Sequence, residues 1–246
     1  MLSGNSSDHL NFFLRKISAK ESFSFIRPND GEYMIIKGTT LTNTDNWTFN
    51  SGGTLQHDLL IAIQQFSESP NGYIGIPCKG CYNAEMVDWC IKEYHIKHDK
   101  LTYGNLVCNK NWKPFTSYFI ENKIPIYYIG PGTTPTNLFN IKKRYYTDPY
   151  QVNRWDTEKD IFKHRIYTWI TSIIDSEQTD NIIFTFSVGP LSKILISELN
   201  QMYPSHSFFD IGSAFDIYLK GSSNRGYMRE NDTYSNVVCD FELGHI

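Results

Sequence analysis

Short apolar segments alternate with amphipathic ones along this chain. The apolar segments are rich in β-branched and aromatic residues and predict five strands, at Phe23 to Arg27, Tyr73 to Pro77, Ile124 to Ile129, Ile182 to Val188 and Phe208 to Ile211. The amphipathic segments predict five helices, at Leu55 to Phe66, Ala84 to Ile96, Phe115 to Asn122, Ile161 to Ile174 and Leu191 to Tyr203. This alternation is typical of right-handed βαβ units, so we expect an α/β fold with a mainly parallel sheet flanked by helices.

Two stretches do not follow the alternation. Residues 130–155 carry several Pro, Gly and Thr, and the chain from Lys220 onward is rich in Gly, Ser and Asn. We expect one domain over residues 1–246, with residues 1–8 and 228–246 as candidate irregular tails. Ligands of an open parallel sheet bind beyond the carboxyl ends of its strands, so candidate chemistry is sought in the segments that follow strands.

Composition excludes some partners. The chain has 23 Lys and Arg against 26 Asp and Glu, a formal net charge of −3. We therefore expect no general attraction to nucleic acid or to an anionic membrane. The N-terminal segment lacks the features of a signal peptide, and no apolar run reaches bilayer-spanning length, which predicts a soluble, cytoplasmic protein. The five cysteines are an odd number, which favours reduced thiols.

The first candidate segment is Arg27-Pro28-Asn29-Asp30-Gly31-Glu32, directly after the first predicted strand. In extended backbone, residues two apart project to the same side, so Asp30 and Glu32 would reach one cation. Two convergent carboxylates suit Mg²⁺ or Mn²⁺, and substrate phosphates commonly complete the coordination shell of such an ion. Arg27 would add a bidentate phosphate contact. The alternative interpretation is a surface turn after a strand.

Two further strand ends offer binding groups. After the fourth predicted strand, Gly189, Ser192 and Lys193 surround a helix start, where free amides attract phosphate. After the fifth, the loop Asp210-Ile211-Gly212-Ser213 would contact ribose, sugar or acceptor, and Arg225 in the following Gly/Ser-rich stretch would close over the substrate. Ordinary strand-to-helix connections and a frayed tail explain the same features without function.

Three acids are candidates for a general base that deprotonates an acceptor hydroxyl. They are Asp58 at a predicted helix start, Asp210 and Asp216. For Asp58, a helix-start acid favoured by the helix dipole is the commoner explanation.

A different chemistry is suggested by Cys78-Lys79-Gly80-Cys81, which is followed by His95 and His98. This order resembles a zinc finger, but the histidines are spaced more tightly than in the usual finger and lie on a predicted helix.

Taken in order, these segments resemble the glycosyltransferases of the GT-D fold. The resemblance rests on Arg-x-x-Asp-Gly-Glu after the first strand, Leu101-Thr102-Tyr103-Gly104-Asn105, Gly-Pro-x-Ser-Lys, and Asp-Ile-Gly-Ser-x-x-Asp. It implies a single Rossmann-like domain and metal-assisted transfer from a nucleoside-diphosphate sugar, with Asp30 and Glu32 as the acid-x-acid element and Asn105 as a donor contact. Pro28-Asn29 departs from the smaller pair expected before the aspartate.

The leading hypothesis is therefore a Mn²⁺- or Mg²⁺-dependent glycosyltransferase that moves a sugar from a nucleotide-sugar, by resemblance a UDP-sugar, to a glycan or other hydroxyl acceptor. A reaction that inverts the anomeric centre needs a general base, whereas a retaining one does not. Two alternatives stay open: a metal-dependent phosphohydrolase or nucleotidyl transferase, and a non-catalytic binding module with a structural zinc at Cys78 and Cys81.

Overall fold

The computed structural model describes residues 3–43, 47–229 and 232–246. The strands are β1 (Ser24–Ile26), β2 (Leu41–Thr42), β3 (Thr48–Phe49), β4 (Gly72–Ile76), β5 (Leu101–Tyr103), β6 (Pro125–Gly130), β7 (Asn140–Tyr146), β8 (Ile183–Phe186), β9 (Ser207–Asp210), β10 (Cys239–Asp240) and β11 (Gly244–His245). The α-helices are α1 (Ser6–Ser18), α2 (Asp30–Ile36), α3 (Leu55–Ser67), α4 (Ala84–Glu93), α5 (Trp112–Glu121), α6 (Trp155–Glu177), α7 (Leu191–Met202) and α8 (Asp216–Leu219).

One sheet of seven strands runs through the middle of the fold, in the order β5-β4-β1-β9-β8-β6-β7. Every neighbouring pair in it is parallel, and Phe25 of the interior strand β1 lies opposite Tyr73 on one side and Phe209 on the other. The predicted α/β fold with a mainly parallel sheet flanked by helices is thus confirmed. All five predicted strands are interior strands of this sheet.

The two strands of this sheet that the sequence pattern missed are its edges, β5 and β7. β7 lies in the stretch that was predicted to be irregular, and its sequence, Asn-Ile-Lys-Lys-Arg-Tyr-Tyr, has no buried residue. Lysines on an edge strand discourage pairing with other chains, and they also remove the apolar run by which interior strands are recognised. β5, at the other edge, has only three residues.

The N-terminal segment is helical rather than irregular. α1 begins at Ser6, and the side chain of Asn5 accepts hydrogen bonds from the amides of Ser7 (2.9 Å) and Asp8 (3.2 Å). The carboxylate of Asp8 in turn accepts a hydrogen bond from the amide of Asn5 at 3.0 Å. These reciprocal bonds form a capping box at the start of α1. The prediction of an irregular tail over residues 1–8 is wrong for residues 6–8, and residues 1 and 2 lie outside the described residues.

α1 covers one face of the sheet together with α5. Phe13 of α1 packs in a T-shaped or tilted arrangement on Phe23, Phe25 and Phe209 of the strands, with ring centroids 5.2 to 6.4 Å apart. Each of these rings is fully buried, and burying a side chain of this size contributes about 1.5–3 kcal/mol. The other face is covered by α3 and α7, among other helices, which contribute Leu59, Ile63 and Leu195 to a second apolar cluster.

The C-terminal segment is also ordered into elements. β10 and β11 form an antiparallel pair in which Cys239 lies opposite His245. Between them, Phe241 stacks on Tyr103 at 4.2 Å, which fixes this hairpin beside the end of β5. The prediction of an irregular tail over residues 228–246 is therefore wrong for the hairpin, while residues 230 and 231 lie outside the described residues.

None of the helices in the described part of the chain combines the length and apolarity needed to span a bilayer. All five cysteines belong to the described residues and are free thiols, as the odd count predicted.

Candidate functional site

A cleft of about 790 Å³ opens at the carboxyl-terminal edge of the sheet. A residue that follows each of the seven strands lines it: Arg27, Cys81, Asn105, Pro131, Thr147, Ser187 and Gly212. Ligand pockets commonly measure about 300–1,000 Å³ and, in open parallel sheets, lie at this edge. The cleft is thus the place where the fold brings together residues from distant parts of the sequence.

Asp30 and Glu32 both line the cleft, but not in the predicted geometry. They lie in the first turn of α2 and not in extended backbone, so the predicted same-side projection is wrong. Successive residues of an α-helix are rotated by about 100°, which turns residues two apart to nearly opposite sides. Asp30 accordingly faces the open cleft and is exposed, whereas the side chain of Glu32 points inward and is 9% exposed.

Glu32 lies in the first turn of α2 and connects this helix to the centre of the fold. Its Oε2 accepts a hydrogen bond from the amide of Asn29 at 2.9 Å, the reciprocal bond of a capping box. Its Oε1 lies 2.8 Å from the ammonium of Lys193 on α7. Both carboxylate oxygens therefore have protein partners, and Asp30 is the member of the pair that offers a carboxylate to the cleft.

Lys193 is the centre of a buried ion-pair network. Its Nζ contacts Glu32 and the Oδ2 of Asp210, both at 2.8 Å, and donates to the carbonyl of Gly189 at 3.2 Å. These three acceptors match the three N–H groups of the ammonium. Burial by itself would lower the pKa of Lys193, but Asp210 and Glu32 hold it above its ordinary value. The predicted contact of Lys193 with phosphate would require one of these partners to be replaced.

Arg27 completes the charge balance of the network. Its Nη1 donates to the carbonyl of Gly104 and to the sulfur of Cys108, both at 3.1 Å, and its Nε lies 4.0 Å from Asp210. Although burial opposes its charge, Cys108 and Asp210 raise the pKa of Arg27 above its ordinary value. Two cations and two carboxylates thus neutralise one another at the floor of the cleft.

Gly212 allows Arg27 to reach this position. The backbone of Gly212 is left-handed, with φ of +50°, and a Cβ built on it would overlap the guanidinium of Arg27. The amide of Gly212 also donates to Oδ1 of Asp210 at 3.0 Å. The space beside this glycine is therefore filled by the guanidinium of Arg27, a side chain of the protein itself.

The Glu32–Lys193 pair makes stability depend on pH. Burial alone would raise the pKa of Glu32, but Lys193 and the amide of Asn29 hold it below its usual value of 4.5. A carboxyl whose pKa is lower in the folded chain contributes stability above its unfolded pKa, and this contribution is lost as the pH falls through its folded pKa. We expect the difference in free energy of unfolding between wild type and Glu32→Gln, measured with urea, to be largest near about pH 7 and to shrink below about pH 4.5. A pH-independent difference would contradict the ion pair.

The predicted phosphate site at the start of α7 is only partly present. Gly189 lines the cleft, in a left-handed conformation with φ of +57°. Ser192, however, is fully buried, and its Oγ accepts a hydrogen bond from the amide of Val188 at 3.3 Å. The amides of Ser192 and Lys193 are bonded to the carbonyls of Gly189 and Pro190. The helix start therefore turns its amides inward, and the prediction that Ser192 contacts a ligand is wrong.

The last predicted loop does border the cleft. Ser213, Asp216 and Arg225 all line it, and the hydroxyl of Ser213 is 3.1 Å from that of Tyr227. Asp216 lies at the start of α8, where its Oδ2 is 2.9 Å from the ammonium of Lys220 one turn later. These residues line the part of the cleft that follows β9.

Asp58 does not belong to this site. It lies on a separate depression between α3 and α6, where its Oδ2 accepts hydrogen bonds from Nε1 of Trp155 and from Lys159, both at 2.9 Å. Burial opposes ionisation, but these donors keep the pKa of Asp58 below its ordinary value. A base role for Asp58 in the cleft is therefore excluded by its position.

Asn105 lines the cleft but is turned toward sulfur. Its Nδ2 lies 2.9 Å from Sγ of Cys81 and 3.6 Å from Sγ of Cys239. The sequence offered Asn105 as a contact of the nucleotide-sugar, and the structure shows instead that its amide group faces a cluster of thiols.

Two cleft residues were not singled out from the sequence. One is Tyr82, whose pKa is raised by burial and by the neighbouring carboxylate of Asp30. Trp47 lies beside Gly31 and Gly189, so its ring forms part of the wall next to Asp30. Their aromatic character was visible in the sequence, but aromatic residues are equally common in cores, and only the fold separates the two uses.

No protein-family model and no curated protein sequence matches the chain. Solved structures do match. One, described as the selenomethionine-substituted structure of domain of unknown function 1792, is 14% identical, with a TM-score of 0.55 over 87% of this chain and 81% of that chain.

A second structure is described as showing that this highly conserved domain has a distinct glycosyltransferase fold. That structure is 16% identical to this chain, with a TM-score of 0.52 over 87% of this chain and 81% of that one. A third is described as a new glycosyltransferase (DUF1792) from Streptococcus sanguinis; it is 13% identical, with a TM-score of 0.52 over 96% of this chain and 91% of that one. The chain shares the fold of these three proteins, and at 13–16% identity the similarity is one of fold.

Proposed function

We propose that this chain is a glycosyltransferase that uses a nucleoside-diphosphate sugar, with a UDP-sugar as the first candidate donor. The observation that carries the proposal is Asp30: an exposed carboxylate in a cleft of about 790 Å³, beside a buried cluster of two cations and two carboxylates. Solved structures with the same fold and glycosyltransferase descriptions support the reaction class. The volume suits a nucleotide-sugar.

The oxygen groups present fit a divalent cation at Asp30. Mg²⁺ and Mn²⁺ prefer carboxylate oxygens and are commonly held by one or two of them together with substrate phosphates. A cation held there would neutralise the negative charge that develops on the leaving diphosphate. Asp30 would be the first ligand, because its exposed carboxylate lines the cleft, and Glu32 is the neighbouring candidate. Coordination by Glu32 would require it to exchange one of its present partners, Asn29 or Lys193.

The cationic residues of the cleft would position the donor. Arg27 lines the cleft, and its buried Nε has no hydrogen-bond partner among the described residues. Arg225 lines the same cleft. Guanidinium groups bind phosphate oxygens in a planar, bidentate manner, so these two residues suit the diphosphate.

The acceptor hydroxyl must lose a proton as it attacks the anomeric carbon. Of the three acids proposed from the sequence, Asp216 is the one that suits a base role, because Asp58 lies elsewhere and Asp210 is fixed between Lys193 and Gly212. Asp216 lines the cleft, and its Oδ2 lies 2.9 Å from the ammonium of Lys220, so a carboxylate is present where an acceptor hydroxyl could bind. This role applies to an inverting reaction.

A donor screen tests the proposal. The protein is incubated with a panel of nucleotide-sugars and Mn²⁺, and release of free nucleoside diphosphate is measured with and without hydroxyl acceptors. We expect release from one class of nucleotide-sugar, stimulated by an acceptor and abolished by a chelator. Equal attack on nucleotides that lack a sugar would instead indicate a phosphohydrolase and would contradict the proposal.

A further inference from the structure

The geometry points to a zinc site formed by Cys78, Cys81, Cys239 and His245, on the wall of the cleft. One ligand atom from each of these residues lies within 4.8 Å of all the others. The Sγ of Cys81 is 3.5 Å from that of Cys78, 3.6 Å from that of Cys239 and 3.2 Å from Nε2 of His245. Three thiols and an imidazole thus converge on one point.

These separations are close to those of a tetrahedral zinc shell and shorter than it by at most about 0.4 Å. With Zn–S of about 2.3 Å and Zn–N of about 2.0–2.1 Å, neighbouring ligand atoms of a tetrahedron are about 3.6–3.8 Å apart. Sulfur and imidazole ligands select zinc over Mg²⁺ or Ca²⁺, which prefer oxygen. A disulfide would require a sulfur separation of about 2.05 Å, far below the 3.5 Å and 3.6 Å between these thiols.

Local backbone structure presents the four ligands. Cys78 and Cys81 lie in a tight turn after β4, in which the amide of Cys81 donates to the carbonyl of Cys78 at 3.0 Å. Cys239 and His245 are directly opposed residues of the β10–β11 hairpin, so their side chains share one side of it. A Cβ on Gly80 would overlap His245, which makes the close approach of turn and hairpin dependent on this glycine.

Asn105 supports the same assignment. Its Nδ2 lies 2.9 Å from one thiol and 3.6 Å from another, and an amide donor beside two sulfurs is the arrangement that favours thiolates over neutral thiols. Partners of this kind orient metal ligands, and removing one typically lowers metal affinity about 10- to 100-fold.

The zinc-finger order noted in the sequence shares two residues with this cluster. Cys78 and Cys81 belong to the cluster, but among the described residues their partners are Cys239 and His245 in place of His95 and His98. Because all four tetrahedral positions are filled by protein, the site is structural. It would fasten the C-terminal hairpin to the loop after β4, and both Cys81 and His245 line the cleft. The zinc would therefore hold one wall of the cleft in place, independently of any cation at Asp30.

Metal analysis of the purified full chain tests the site. We expect about one zinc per chain after dialysis against metal-free buffer, and release of that zinc when the thiols are modified with a mercurial reagent. After replacement of zinc by Co²⁺, the protein should show thiolate-to-cobalt charge-transfer absorption and the d–d bands of tetrahedral cobalt. Zinc at background level in protein grown with added zinc, together with no cobalt spectrum, would overturn the assignment.

Substitutions test whether these four residues, and not other thiols and histidines of the chain, hold the zinc. Cys81→Ser and Cys239→Ser should lose the zinc, His245→Ala should lose the tetrahedral cobalt spectrum, and Asn105→Ala should bind zinc about 10- to 100-fold more weakly. Cys90→Ala and His98→Ala are the matched controls and should keep it. Because His245 is exposed, its variant is expected to fold even if a cysteine variant does not. Retention of stoichiometric zinc and an unchanged cobalt spectrum in His245→Ala would contradict the proposal.

Discussion

Replacing Lys193 with methionine is expected to lower the free energy of unfolding by about 3–5 kcal/mol, the largest single effect that the structure predicts. Methionine keeps the length of the side chain, so packing is largely preserved, but Glu32 and Asp210 lose the ammonium that lies 2.8 Å from each of them. Two carboxylates would then be buried with only Arg27 nearby, 4.0 Å from Asp210. Urea denaturation measures the loss.

The sign of the pH dependence identifies the cause. Without Lys193, burial should make the carboxyl group of Glu32 bind a proton more readily in the folded chain than in the unfolded one, so the deficit of the variant should narrow as the pH falls from about 7 to about 4. Lys163→Met is the matched control, because Lys163 pairs with Glu198 at 2.6 Å but both side chains are partly exposed. It should cost at most about 1 kcal/mol. Equal losses in the two variants would contradict the buried network.

Replacing Asp30 with asparagine is expected to reduce glycosyl transfer by about 100-fold or more, with little change in stability. An amide oxygen is a weaker ligand than a carboxylate, and loss of cation-mediated charge stabilisation is worth several kcal/mol in the transition state. The side chain is exposed, and substitutions at such positions usually change the free energy of unfolding by less than about 0.5 kcal/mol. Release of nucleoside diphosphate over a range of Mn²⁺ concentrations measures the effect.

Two controls accompany this variant. Asp58→Asn removes an acid that the sequence offered as a base but that lies on a separate depression, so it should keep near wild-type turnover. Glu32→Gln should differ from Asp30→Asn by losing both stability and activity, because the carboxylate of Glu32 forms the buried ion pair with Lys193. Near-normal turnover by Asp30→Asn at low Mn²⁺ would show that the cation is not held at Asp30.

Asn29 and Glu32, which cap the start of α2, show that one local sequence pattern is compatible with two backbone conformations. Because the segment from Asn29 to Glu32 directly follows a strand, the sequence pattern suggests extended backbone there. The same four positions, Asn-x-x-Glu, are also the pattern of a capping box, and the amide of Asn29 does donate to Glu32. The helical interpretation turns Glu32 into the interior and leaves Asp30 at the cleft, which changes the expected division of roles between the two acids.

Local sequence determined the interior of this fold and left its site to the tertiary structure. Hydrophobic periodicity is a property of neighbouring residues, so it identified the five interior strands and helices α3 to α7, but not α1, α2 or the polar edge strand β7. Contacts between distant residues have no local pattern: Lys193 meets Glu32 and Asp210, and Cys78 meets Cys239 and His245, only because a parallel sheet brings the loops at its carboxyl edge together. The sequence supplied the charges and ligands, and the chain topology decided which of them became partners.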